Sequence, residues 1–529
     1  MPKAAGSVER RVIVVGGGIA GLVSACELAV AGVNVVLLER GDTIGGKLHQ
    51  RHVNGVGIDS GPTVFTMRWV FEDLFERAGI RLSDALSCHQ AQMLARHAWS
   101  ANERFDLYAD RQQARREVEQ FSGSAEADRF EAFCDLAQTA YRTLEAAYIR
   151  SERPTFMSMN HDLGVRGLRV LWQLGLFQHL WQSLTRHFKD PRLHQLFSRY
   201  ATYCGSSPLQ APATLMLIAD VEMQGVWTIE GGMTALAQAI ASLAQRHGAE
   251  IRTACDVSDI LVDNGRVSGV ALRHGEILQA DAVIFNGDVA ALRQQSVGIR
   301  RGRTDGELLN ASVFGTPDDD LSKRSLSALT LSMHAKTDGF PLIYHNLFFH
   351  QNYAQEFADI FRDRRLPRQP TVYICAQDRD DTALPPGGPE RLLLLVNAPA
   401  TGDRASFTPS EIRECTDASF SLMQRCGLTV DHCETNTVIT TPTHFHQRFP
   451  ATGGALYGHA THGWMHAFSR WGSTTPLPGL MLAGGSVHPG PGVPMAALSG
   501  RLAAATLMAH LGLTKPSRRV VISGGMSMR

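Results

Sequence analysis

The stretch RVIVVGGGIAGLVSACELAVAGVNVVLLER, residues 11–40, limits the fold of this chain more than any other. Val12 to Val15 is a β-branched run suited to a buried parallel strand. Gly16-x-Gly18-x-x-Gly21 follows at once, Ala20 to Ala31 has helical character that stops at Gly32, and Val33 to Leu38 reads as a second strand ending in Glu39. Each glycine has a task in such a βαβ unit. Gly16 makes the tight turn, Gly18 lets a pyrophosphate approach the backbone, and Gly21 lets helix and strand pack closely. Free N–H groups and the helix dipole favour phosphate at the start of the helix. Glu39 is placed to accept hydrogen bonds from ribose hydroxyls. A lone GxGxxG is weak, but strand, helix, second strand and terminal acid together predict a site for the ADP half of NAD or FAD.

The following residues separate the two. ERGDTIGGKLHQ sets Arg40 beside the acid and Gly45-Gly46-Lys47 just beyond it, where a plain NAD domain passes into another helix. A glycine pair and a base suit a chain that crosses back over a longer cofactor. Gly61-Pro62 then precedes an amphipathic segment, Trp69 to Ala78. The pattern resembles flavoproteins of the amine oxidase and carotenoid desaturase superfamily, which share ER-x-x-x-x-GG-[RK] after the second strand. The resemblance implies FAD, held at Gly16, Gly18, Ile19, Ala20, Gly21, Glu39, Arg40, Gly45, Gly46, Lys47, Gly61 and Pro62.

Bulk properties narrow the partners. Lys+Arg and Asp+Glu are both 51, so nothing favours a polyanion such as nucleic acid. The nine cysteines include no CxxC pair, which fits reduced thiols in the cytoplasm. No run of eighteen uncharged apolar residues predicts a membrane-spanning helix, and the N-terminus has no secretory pattern. Attachment to a membrane surface stays open.

Two further blocks repeat the strand–glycine–helix order. Residues 227–288 place Gly231-Gly232 before a helix at about 233–246, then strands at Glu250 to Thr253, Val257 to Val262, Arg266 to Arg273 and Val283 to Phe285, with Asn264-Gly265 as a hairpin turn. The resemblance implies that Val257 touches the adenine through its backbone. Near the end, Leu480 to Ala483 reads as a strand, GGSVHPGPGVPM as a loop, and about 493–511 as a helix. Such a loop delivers a helix N-terminus to an electron-rich ring edge. Gly485, Ser486, Val493, Pro494 and Met495 are therefore candidate flavin contacts, and His488 is either a candidate beside the ring or a hydrogen-bonding loop residue.

The expected fold class is α/β. It comprises a discontinuous Rossmann-like FAD-binding domain of the glutathione reductase/amine oxidase kind (8–105, 226–290 and 441–512), an inserted α+β substrate domain (291–440, with strands at Ser327 to Met333 and Leu392 to Val396), a helical membrane-facing region (106–225) and a tail (513–529). From HNLFFHQNYAQEFADIF, QPTVYICAQDRDDTALPPGGPERLLLLVNAPA and FPATGGALYG, the chain is identified as a member of the phytoene desaturase-type family. DSGPTVFTMRWVFEDLF and ADAVIFNGDVAAL are most similar to its hydroxyneurosporene (1-hydroxycarotenoid 3,4-) desaturase branch.

The resemblance implies a carotenoid substrate, hydride transfer to flavin and a C-3,4 double bond formed in a 1-hydroxy or methoxy carotenoid. It also implies a cytoplasmic protein peripheral to the inner membrane. Phytoene desaturase, carotenoid isomerase and amine oxidase are alternatives within the superfamily, and the electron acceptor, quinone or oxygen, is left open. Arg68 and Trp69 are candidate lining residues for a terminal hydroxyl, with a salt bridge on a helix surface as the equal alternative for Arg68. Leu168, Leu171, Trp172, Leu176, Leu180 and Leu184 recur at near-helical spacing between basic flanks, which fits an interfacial helix, the reading favoured for a substrate that lives in lipid, or else the wall of the substrate tunnel or core. The pairs His444/His446, on one face of an expected strand, and His462/His466, on one face of an expected helix, lack an acidic or cysteine partner, so no metal is expected.

Overall fold

The computed structural model describes residues 10–152, 167, 175, 178–302, 304–316 and 320–513. Its centre is a parallel five-stranded sheet in the order Leu480–Leu482, Ala282–Phe285, Arg11–Val15, Asn34–Leu38 and Glu250–Arg252. Val12 sits opposite Val35 on one side and Ala282 on the other, so both edges of the first strand are paired. Four of its five residues are buried, which explains the unbroken β-branched run.

The first helix, Ile19–Val30, is buried from Ile19 through Ala29. A helix covered on all sides needs no amphipathic stripe. The last helix, Val493–His510, crosses it so closely that a Cβ on Gly500 would lie 2.3 Å from the Ala20 carbonyl oxygen. Ser24 Oγ bonds the carbonyls of Ala20 (2.8 Å) and Gly500 (2.9 Å) across this contact. Beneath it, Arg501 reaches Glu27 at 2.9 Å and also pairs with Asp73 on the helix Trp69–Arg77. All three charges are buried.

Residues Val257–Asp263 and Arg266–Leu272 form the expected hairpin. Both turn residues, Asn264 and Gly265, have positive φ (49° and 75°), as a type I′ turn requires. Gly298–Arg301 joins this small sheet in parallel with the first hairpin strand, so the block extends past the boundary expected at 290.

A seven-stranded sheet forms the other half. Its order is Thr437–Thr440, Ser327–Ala335, Glu390–Ala398, Val372–Ala376, His345–Phe348, Met93–Ser100 and Glu103–Tyr108. The boundary expected at 105 thus falls inside a strand, and it is corrected here. The hairpin at 93–108 extends the insertion's sheet, pairing with His345–Phe348 in parallel. Thr330, Leu395, Tyr373 and Leu347 stand directly opposite one another in a row across four strands.

The helices of 106–225 surround an aromatic core that includes Phe130, Phe133, Phe188 and Phe197. Leu180 and Leu184, on the helix Leu180–His187, are fully buried in it, so they face inward and not toward a bilayer. Leu168, Leu171, Trp172 and Leu176 lie outside the described residues. No helix among the described residues is long and apolar enough to cross a membrane.

Candidate active site

One cavity of about 1490 Å³ runs from the glycine motif of the first strand to the seven-stranded sheet. Gly16, Gly18, Ile19, Ala20, Glu39, Arg40, Gly45, Gly46, Lys47, Gly61, Pro62, Val257, Gly485, Ser486, Val493, Pro494 and Met495 all border it. Gly21 does not. It serves packing: a Cβ there would lie 2.1 Å from the Gly16 carbonyl oxygen.

The dinucleotide end is built from three chain passages. Gly45 N–H donates to Gly17 O at 2.8 Å, which brings the Gly45-Gly46 turn over the start of the first helix. A Cβ on Gly46 would stand 3.0 Å from Gly18 Cα. Glu39 accepts from the N–H groups of Gly17 (2.6 Å) and Gly41 (2.7 Å), which fixes its carboxylate at the end of the second strand. Its remaining lone pairs can accept from hydroxyls in the cavity. Bare N–H groups at a helix start, glycines where a side chain would intrude, and a fixed carboxylate fit the ADP half of a dinucleotide.

Several residues with no local sequence signal complete this end. Asn286 Nδ2 donates to Gly16 O at 3.1 Å. It follows the strand Ala282–Phe285, and the carboxyl end of a parallel strand is the signal that marks it. Arg448 donates to Gly46 O at 3.1 Å, and Arg470 to Gly485 O at 3.3 Å. Lys47 donates to Leu456 O. Burial lowers the pKa of Lys47, opposed by nearby Asp288.

Three further expected residues lie elsewhere, among them Trp69, which is outside the lining with Arg150 stacked 4.5 Å from its ring centroid. His488 does not border the cavity. Its Nε2 meets Tyr148 O at 2.9 Å, and burial pushes its pKa down to about 4. Arg68 is also outside the lining and is paired with Glu72 at 2.9 Å, one helical turn on. The other histidines take different elements from those expected. His444 and His446 lie on a helix, Pro442–Arg448, because Pro442 and the Thr441 cap start a helical turn. His462 precedes the short 3-10 helix Trp464–Phe468 and accepts from Ser207 N–H at 3.1 Å, so it shares no helix face with His466. No cluster of three potential metal ligands occurs among the described residues.

At the sheet end the strands present Leu347, Leu393 and Leu395 together with Thr330, Tyr373 and Asn397, and the helical wall presents Leu215, Leu217 and Ile218. Thr63 and Tyr373 hydroxyls are 2.6 Å apart, and Tyr373 also meets His345 Nδ1 at 2.7 Å. Arg199 and Tyr203 form a second polar group on the helical wall.

The chain matches the family described as flavin containing amine oxidoreductase over residues 19–508. It is 56% identical over 520 residues to the hydroxyneurosporene desaturase of Rubrivivax gelatinosus, covering 98% of this chain and 97% of that protein. It is 40% identical over 501 residues to that of Cereibacter sphaeroides, covering 95% and 98%. Among solved structures it is similar in fold to a putrescine oxidase bound to putrescine, with a TM-score of 0.58, 15% identity, and 94% and 99% coverage. The cyclohexylamine oxidase of Brevibacterium oxydans gives a TM-score of 0.56 at 16% identity, with 95% and 100% coverage. The chain belongs to the flavin-containing amine oxidoreductase family and, within it, to the hydroxyneurosporene desaturase branch of carotenoid desaturases.

Proposed function

We propose that the protein is an FAD-dependent carotenoid desaturase that introduces a C-3,4 double bond into a 1-hydroxy or methoxy carotenoid. The observation that carries this reading is one continuous cavity, with a dinucleotide cradle at one end and a floor bearing Leu347, Leu393 and Leu395 at the other. FAD, when bound, supplies the hydride acceptor. The chain then has three tasks. Gly16, Gly18, Gly45, Gly46 and Glu39 hold the ADP half, with Val257 and Arg40 at its edge. Gly485, Ser486 and the helix start at Val493 to Met495 hold the ring, where N–H groups stabilise negative charge by about 0.3–1 kcal/mol. Leu347, Leu393 and Leu395 hold the polyene straight and exclude water.

The substrate loses a hydride from one carbon and a proton from its neighbour. The allylic position favours hydride loss, because the conjugated chain spreads the positive charge. No activated nucleophile is needed. The same reading puts the protein at a membrane surface, because a polyene partitions into lipid, and co-sedimentation with liposomes tests that part. The experiment for the reaction incubates the flavoprotein with a 1-hydroxycarotenoid and, side by side, with phytoene. A red shift of the hydroxylated polyene alone is the expected result. Turnover of phytoene in preference would replace this reading with that of a phytoene desaturase.

A further inference from the structure

Toward the sheet end of the cavity, a charged group stands on the helical wall. Arg199 follows the helix Pro191–Ser198 and is only 5% exposed. Its Nη2 donates to Glu222 at 3.1 Å. Its Nη1 donates to Tyr203 Oη. Glu222 also accepts from Tyr200 Oη at 2.8 Å and Tyr203 Oη at 2.6 Å, so its oxygens are occupied. The pair is neutral as a whole, which makes its burial tolerable. One donor is left over: Arg199 Nε is buried and has no hydrogen-bond partner among the described residues. Arg199 borders the cavity, whereas Glu222 does not.

A second orphan borders the same cavity. Thr330 Oγ1, in the floor row beside Leu395 and Tyr373, is buried without a partner. Arg199 lies within electrostatic reach of the Tyr373 end of that row, since its charge contributes after burial to the depressed pKa of His345, the partner of Tyr373. Leaving a buried donor unpaired costs about 1–3 kcal/mol. A pure hydrocarbon in this cavity leaves that cost in place. A ligand carrying one oxygen at the end of an apolar chain removes it when the guanidinium, whose Nε is covered in this conformation, tilts to meet that oxygen.

We propose that Arg199, held in place by Glu222 and Tyr203, recognises the terminal hydroxyl oxygen of the polyene through Nε–H and so sets the preference for hydroxylated over unsubstituted chains. The proposal rests on the desaturase reading for the identity of the ligand. The hydroxyl carbon of a 1-hydroxycarotenoid is one methylene from the bond to be desaturated, so a grip on the oxygen also registers that bond.

The test uses the FAD-loaded full chain and two polyenes of equal length and conjugation, one with a terminal tertiary hydroxyl and one without. Binding is read from quenching of flavin fluorescence, and turnover from the polyene spectrum. The wild type should bind the hydroxylated polyene at least about 10-fold more tightly, as expected for a hydrogen bond to a charged group. The double variant Arg199→Met/Glu222→Gln leaves no unpaired charge. It should lose this preference while keeping its FAD content and its affinity for the hydrocarbon. Arg199→Lys, which keeps a cation for Glu222, should lose most of the preference and guards against misfolding of the double variant. Equal weakening of both polyenes in the variants would mean a structural role and overturn the proposal. So would an unchanged preference, a wild type with no preference, or loss of preference in Tyr373→Phe instead. A clear binding preference without turnover of either polyene would support the site and overturn the desaturase reading, so the two fail separately.

Discussion

Gly18 and Gly492 both meet the cavity wall, but a side chain at each encounters a different obstacle. Gly18 has φ −73°, a conformation open to any residue, and its Cβ would face only Asn286 Nδ2 at 3.1 Å. Gly18→Val should therefore fold and emerge without FAD, which the flavin absorbance of the purified protein reads directly. Gly492 has φ +119°, so valine there strains the backbone regardless of the cofactor. Gly485 is the better probe of the ring end, because its Cβ would meet nothing nearer than Pro491 Cα at 3.6 Å. Gly485→Val should keep its Tm and lower turnover by about 10-fold or more, at the scale of a misplaced reacting group. The glycines were legible because backbone clearance has a local signature. His488 and Arg68 were not, because their direction depends on Tyr148 and Glu72, and proximity in sequence to a cofactor loop says nothing of where a side chain points. His488 gives a pH prediction of its own. Burial holds it neutral, with a folded pKa of about 4 against an ordinary value of 6.5. Its contribution is intact above pH 6.5 and is lost as pH falls toward 4, by about 1.4 kcal/mol per unit of depression. Tm should fall across that window, and His488→Gln should flatten the fall.

At the scale of elements, the two helices that frame the cofactor end depend on one buried ion-pair group. Arg501 from the last helix meets Glu27 of the first helix and Asp73 of the helix Trp69–Arg77. Arg501→Met leaves the two buried carboxylates with only the half-buried Arg77, 3.2 Å from Asp73 and 3.9 Å from Glu27, and removing one partner of a buried pair costs about 3–5 kcal/mol. A large drop in Tm is the expected outcome, with partial recovery in Arg501→Met/Glu27→Gln; a Tm unchanged in the single variant would show that the pair is dispensable. These helices were readable from their borders, Gly18 and Gly32 for one and Gly492 with Pro494 for the other, although neither shows a polar face. The short helix Pro442–Arg448 was misjudged as a strand because alternate histidines mimic a period of two over too few residues for helical periodicity to show. The partner choice of the hairpin at 93–108 had no local signal at all. It pairs with residues 346–348, about 250 positions away, through backbone groups that any sequence carries.

At the scale of the whole molecule, the cofactor cradle and the substrate floor belong to different sheets that share one cavity. The motifs made the first sheet legible. The second had to be seen folded, because its floor residues come from four strands and become a row only through register. This division yields a separable prediction. Leu395 stands in the middle of that row, between Thr330 and Tyr373, and borders the cavity. Leu395→Trp adds an aromatic ring to the floor while leaving every glycine of the cradle untouched. If the polyene lies along this floor, the variant should retain FAD at the wild-type ratio and lose desaturation by at least about 10-fold, since displacement of the reacting bond by about 1 Å is enough for a larger loss. Leu395→Ala should act in the opposite sense, enlarging the cavity and relaxing the choice among polyenes of different width. Loss of FAD in Leu395→Trp would place the cofactor over the floor. Full turnover on the hydroxylated polyene would place the substrate elsewhere in the cavity.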